Sequence, residues 1–218
     1  MSSASRSRRR SSSSSRPRWR RRPAARPEEI LDAALHIFGD LGFARTRLDD
    51  VARLAGVSKG TLYRYFDSKE ALFREMVRTK IIPVVEENER LVERHAGSSA
   101  ELLVELIRRI YVLARRPELA KIRQVVQAEL GNFPELGRFY FDAVILRSRR
   151  LIERVIARGV EAGEFRSVRH GYGSRAIPGL VIHGAFLHSL CRRLDPEPLT
   201  DDEVLEGMLD FCLHGLLT

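Results

Sequence analysis

Beyond residue 26, apolar positions return at intervals of three and four through most of the chain, the spacing of helices that bury one face. Ile30, Ala33, Ala34, Ile37, Phe38 and Leu41 give the stripe of a first helix that Pro27 opens and Gly42 ends. Thr46 with Asp49 reads as a T-x-x-D cap for a second, whose stripe is Leu48, Val51, Ala52 and Ala55. Gly56 suits the left-handed turn that follows, and Ser58 can cap the next helix. There Leu62 and Phe66 lie four apart and point inward together. Asp67 with Glu70 predicts a further cap, and a fourth helix from about Ser68 toward His95 turns Leu72, Phe73, Met76 and Val77 inward. Pro83 should kink or divide it.

The same pattern continues. Ser98 and Glu101 form a capping signature for a helix to about Arg115, and Pro117 opens another through Leu130. Gly131 and Pro134 mark a break before a long amphipathic stretch to Gly163, with Phe139, Ile145, Ile152 and Ile156 among its apolar positions. Gly171 and Gly173 set the next boundary, residues 174–194 form a more apolar helix, and Thr200 with Glu203 caps a last one ending at Leu217. No strand and no short-period repeat stands out. The expected fold is all-α, with an N-terminal three-helix helix-turn-helix domain and a C-terminal helical domain, about nine helices together.

The stretch from Thr46 to Lys69 carries the chemistry. With Leu62 and Phe66 inward, Gly60 and Arg64 point outward, Thr61 and Tyr63 flank them, and Lys59 and Tyr65 lie at the edges. A face that is small at its centre and rich in donors suits a helix pressed into the DNA major groove. Lys69, in the first turn of the next helix, opposes the helix dipole, so a phosphate partner explains it better than helix stability.

The run AGVSKGTLYRYFDSKEALF, behind ILDAALHIFGDLGF, resembles the DNA-binding domain of the TetR family of transcriptional regulators over about Arg26 to Thr79. Arg47 departs from the small polar residue or valine of many members, and adds a basic side chain for a phosphate. The resemblance implies a DNA-binding domain over 26–79 and an effector-binding and dimerisation domain over 80–218. It assigns Thr46, Arg47, Tyr63, Tyr65 and Lys69 to phosphates, and Lys59, Gly60, Thr61 and Arg64, behind the Ser58 cap, to the neighbourhood of the bases. QVVQAELGNFPELGRFYFDAV resembles the effector domain of an AefR-like branch, which implies a small, largely apolar effector. Antibiotics, lipids and acyl compounds all fit that description. Helices 174–194 and 201–217 would then pair with a second copy in a four-helix interface. A two-fold dimer reads half-sites about 34–36 Å apart or a multiple of that.

Charge changes the picture less than its total suggests. The chain has 218 residues and a formal net charge of +9. Residues 1–26 contain ten arginines and no acid, leaving 28 Lys and Arg against 29 Asp and Glu. The expected folded body is electrically balanced. Residues 1–25 read as a disordered Arg/Ser-rich arm following phosphates or the minor groove; a transit peptide and an overextended start are the other readings, and Trp19 has no explanation. No apolar run approaches the ~20 residues of a membrane span. The expected setting is the bacterial cytoplasm, at the nucleoid, with Cys191 and Cys212 as buried small hydrophobes.

Aromatic and apolar residues of the second half, Tyr111, Phe133, Phe139, Tyr140, Phe141 and Phe186, are candidates to line an effector cavity, with His183 and His188 as polar handles. His188 and Cys191 have a metal-ligand spacing but no third ligand, so no metal and no cofactor is expected. No phosphate loop, nucleophile elbow or carboxylate pair stands out, and no enzyme activity is expected. The expected function is a repressor released from a palindromic operator on double-stranded DNA by a small effector. The alternative is a constitutive architectural DNA-binding dimer without a ligand.

Overall fold

A computed structural model describes residues 26–129, 131–169 and 171–217. The basic arm, and Leu130 as a helix end, lie outside the described residues. In chain order the elements are α1 (Arg26–Leu41), α2 (Leu48–Leu54), α3 (Lys59–Tyr65), α4 (Lys69–Lys80), α5 (Ile82–Arg94), α6 (Ser99–Ala114) and α7 (Pro117–Glu129). They continue with α8 (Pro134–Tyr140), a π-helical stretch (Phe141–Leu146), α9 (Arg147–Glu161), α10 (Gly173–Cys191) and α11 (Asp201–His214). Reading α4–α5 and α8–π–α9 as two long stretches recovers the nine helices expected. Pro83 lies in the first turn of α5, where its missing amide costs nothing, so the long fourth helix divides at Ile81. The described residues include no strand, only an isolated bridge between Phe165 and Leu217.

Two apolar cores hold these helices. The first joins α1 to α5 with α7, α8 and the π-helical stretch, around Phe38, Phe43, Phe73, Leu62 and Met76. Full burial of side chains this large contributes about 1.5–3 kcal/mol each. The second joins α6, α9, α10 and α11 around Leu102, Leu106, Ile152, Val155, Val181 and Leu209. α7 therefore packs with the N-terminal helices although it lies far down the chain. Lys121 of α7 passes close over Gly39 of α1, and Glu129 Oε1 accepts from the Ala44 amide at 3.3 Å.

Local signals explain most boundaries. Gly56 has φ +64 in the turn between α2 and α3. The Ser98 and Thr200 capping boxes are both complete, each hydroxyl taking an N3 amide while Glu101 or Glu203 returns to the cap amide. Gly159 allows a close approach instead, since a Cβ there would sit 2.1 Å from the Phe165 ring.

Three expectations are corrected. Thr46 is not a cap: it is 3% exposed, its hydroxyl donates to Gly42 O at 2.8 Å, and Arg47 holds the N-cap position of α2 without a side-chain bond. Ser68 rather than Asp67 caps α4, accepting from the Ala71 amide at 3.1 Å. Leu41 and Cys191 are exposed rather than buried, because no described helix covers the ends of α1 and α10 where they lie.

Candidate functional site

α3 is held from behind and open in front. Ser58 Oγ accepts from the Thr61 amide at 3.1 Å, and Leu62 and Phe66 sink into the first core. That fixes the rotation of the helix, leaving Lys59, Gly60, Tyr63, Arg64 and Tyr65 exposed and Thr61 half-buried. Arg64 lies over the Tyr65 ring, 5.2 Å from its centroid, and Lys59 pairs with Asp49 of α2. A Cβ built on Gly60 would meet nothing within 4 Å. The fold does not demand a glycine at that place. Arg47, at the start of α2, is exposed beside this face.

Lys69 has a different setting from the one expected. Its ammonium donates to Phe43 O at 2.9 Å and to Ala44 O at 2.8 Å, and lies 4.8 Å from the Phe43 and 5.5 Å from the Phe133 ring centroids. These carbonyls follow α1, and a cation suits them for the reason it opposes the start of α4. These carbonyls give the Lys69 ammonium partners within the fold at the start of α4. The buried hydroxyl of Thr46 is likewise spent inside the fold.

The expected effector residues separate. Tyr140, His183 and Phe186 line one groove of about 570 Å³ between α7, the α8–π–α9 run and α10. Two smaller hollows of about 130 and 80 Å³ adjoin it, bounded in part by Asn88, Ile110, Ser148 and Ile182. Tyr140 is buried, and burial pushes its phenol up to about 12. The other five serve elsewhere. Tyr111 donates to Asp201 O at 3.0 Å, tying α6 to α11. Phe133 packs on Phe43, Phe139 lies between Arg74 and Arg78 of α4, and Phe141 lies under Arg149. His188 bonds Asp201 Oδ1 at 3.0 Å rather than any cavity.

Sequence reading missed Arg123, Ser148, Pro178 and Ile182, which all line the groove. Pro178 inside α10 was the available signal, since a proline there removes a helix hydrogen bond and marks an irregular wall. Around Asp201 the chain builds a structural clasp: Arg115 reaches Oδ2 at 2.5 Å and His188 reaches Oδ1. The Arg115 guanidinium, ahead of His188, holds this carboxyl below its ordinary value.

α10 and α11 also present Leu187, Leu190 and Phe211 outward, the last 73% exposed, and Leu194 is exposed in the turn after α10. No described helix is long and apolar enough to cross a membrane.

Known proteins share this arrangement. The family model described as bacterial regulatory proteins, tetR family, matches residues 30–76, and the AefR-like transcriptional repressor C-terminal domain matches residues 101–214. The transcriptional repressor KstR2 of Rhodococcus jostii is 30% identical over 145 residues, covering 66% of this chain and 70% of its own. The uncharacterized transcriptional regulator YhgD of Bacillus subtilis is 29% identical over 195 residues, 88% of this chain and 96% of its own. The crystal structure of the transcriptional regulator FadR from Bacillus subtilis in complex with stearoyl-CoA superposes with a TM-score of 0.70 at 19% identity. It covers 86% of this chain and 98% of that one.

Proposed function

The chain belongs to the tetR family of DNA-binding transcriptional regulators, and from that premise we propose that it is a homodimeric repressor released from a palindromic operator by a small molecule. In this reading α3 enters the major groove, with Lys59, Gly60, Thr61 and Arg64 nearest the bases. Arg47, Tyr63 and Tyr65 lie toward the phosphates. Thr46 and Lys69 help to position that surface, the Thr46 hydroxyl and two of the three Lys69 donors being engaged inside the fold.

One observation carries the effector half of the proposal. Val144, Ile145 and Ser148 of the groove belong to the same α8–π–α9 run whose other end packs on α4. There Phe139 lies 5.7 Å from both Arg74 and Arg78, and Glu135 stands 3.7 Å from Arg74. Arg74 Nε is buried without a hydrogen-bond partner, so this contact is incompletely satisfied in the present state. A ligand that shifts the run re-sets this contact and the tilt of α4, and so the separation of two reading heads. Such a ligand acts only through a difference in affinity between the two states. KstR2 of Rhodococcus jostii is a repressor by name, and FadR of Bacillus subtilis was crystallised with an acyl-CoA; both support a ligand-released repressor here.

The dimer follows from the outward apolar positions of α10 and α11, which a second copy would cover about a two-fold axis. The architectural reading shares α3 and the dimer but gives the groove no role. Spin-label distances between the two copies of α3, in the free and small-molecule-bound protein, decide between them. A changed separation together with DNA release supports the proposal. An unchanged separation with a ligand that does release DNA sinks it.

A further inference from the structure

The cavity system has an asymmetric charge. Lys121, Arg123, Arg149 and Arg175 line the groove, and no Asp or Glu lines either the groove or its two adjoining hollows. Elsewhere in this half of the chain several arginines are paired with carboxylates, Arg147 with Glu89, Arg115 with Asp201 and Arg108 with Glu206. Those of the groove are not. Among the described residues Lys121, Arg123, Arg149 and Arg175 form no ion pair. Arg175 donates to Gly171 O at 2.6 Å, at the end of the groove where Ser174 bonds Glu153.

Of these four, Arg123 alone borders both the groove and the larger adjoining hollow, and it is half-buried. Only its Nη2 is used, donating to Ala114 O at 2.7 Å. Burial depresses its basicity, and no carboxylate offsets that cost. Tyr140 shares both walls, and its hydroxyl has no hydrogen-bond partner among the described residues. A guanidinium removed from water without a counter-charge is costly unless something occupies it. Immediately beside it, Val144 and Ile182 make the walls apolar.

We infer that the groove takes an amphipathic organic anion, its carboxylate or phosphate group held by Arg123 with the Tyr140 hydroxyl, and its apolar body against Val144 and Ile182. This rests on the reading of the groove as the effector site and narrows its ligand. A guanidinium offers a carboxylate or phosphate two parallel donors, a geometry that lysine cannot reproduce. Apolar neutral molecules and cations would leave this half-buried charge uncompensated.

The test uses the full chain and five probes with the same eight-carbon body: octanoate, octyl phosphate, octanol, octylamine and octyltrimethylammonium. Inorganic phosphate is the headgroup control. Binding is followed by titration calorimetry at constant salt, and DNA release is followed separately. Octanoate or octyl phosphate should bind about tenfold or more tightly than octanol, and inorganic phosphate weakly. Which of the two prevails separates a carboxylate from a phosphate source. Arg123→Met should erase the preference for the anions while leaving octanol unchanged, and Arg123→Lys should restore part of it. Equal binding of octanol and octanoate, tighter binding of either cation, binding of no probe, or a preference surviving Arg123→Met overturns the inference. Anion binding that leaves DNA affinity unchanged would instead keep the inference and sink the effector reading. Octanol that releases DNA as well as the anions do would do the reverse.

Discussion

Phe133 stands edge-on to Phe43, ring centroids 5.0 Å apart and planes at 87°, which joins the loop after α7 to the loop before the reading unit. Phe43 is fully buried and Phe133 is half-buried. The contact is thus a direct bridge between the groove-lining helices and the helix-turn-helix. Phe133→Ala should lower unfolding stability by about 2 kcal/mol in urea titration, less than a fully buried phenylalanine would cost. A stability within experimental error of the parent would mean that the bridge is dispensable.

Lys69 closes that bridge by bonding the carbonyls of Phe43 and Ala44. Lys69→Met keeps the aliphatic stem and removes the charge. The salt dependence of DNA binding should keep its slope while the midpoint of thermal unfolding falls. A slope reduced by about one would show that a phosphate contact had been lost, and the internal role would be wrong.

Gly60 stands in open space on the outer face of α3. Its replacement by alanine suits the helix, so Gly60→Ala should raise stability by about 0.5 kcal/mol and still weaken operator binding, because a methyl meets the groove floor. Chemical denaturation and a mobility-shift titration on the same preparation check both halves. Operator affinity that is unchanged would place the DNA elsewhere.

Asp201 gives a pH dependence. Its carboxyl is held below the ordinary 3.8, first by the hydrogen bond from Arg115 and then by His188. A lowered folded value means that the clasp stabilises fully above 3.8 and loses its contribution as pH falls through the folded value. Asp201→Asn should therefore unfold at a lower temperature than the parent at pH 6, and the difference should narrow toward pH 3. Scanning calorimetry across that range decides it, and a gap that does not shrink would remove the clasp as its cause.

Phe211 is 73% exposed on α11, so Phe211→Asp removes little of the monomer's own core. Sedimentation should show a dimer for the parent and a monomer for the variant, with helical circular dichroism unchanged. A variant that stays dimeric would move the interface away from α11.

These residues also show what the sequence makes visible. Ser58, Leu62 and Phe66 were legible because capping and the inward stripe act within one turn or two, and Pro83 and Thr200 for the same reason. Thr46 and Lys69 were not. The Lys69 ammonium answers to carbonyls 25 and 26 positions back, and Phe133 answers to a ring 90 positions away, distances at which no local rule operates. Nothing local to its helix singles out Arg123, and only the assembled walls reveal that no carboxylate lines its hollow. The cavity candidates divided along the same line: aromatic content was visible, whereas its distribution between the groove and the α4 contact required the packing.

Selection of bound sequences from a random pool of double-stranded DNA, with the full chain, tests the central claim most directly. One enriched inverted repeat is expected, with its half-sites about one or two helical turns apart, as two copies of α3 related by a two-fold axis require. Tight binding with no enriched sequence would contradict it and favour an architectural protein that holds DNA by its backbone alone.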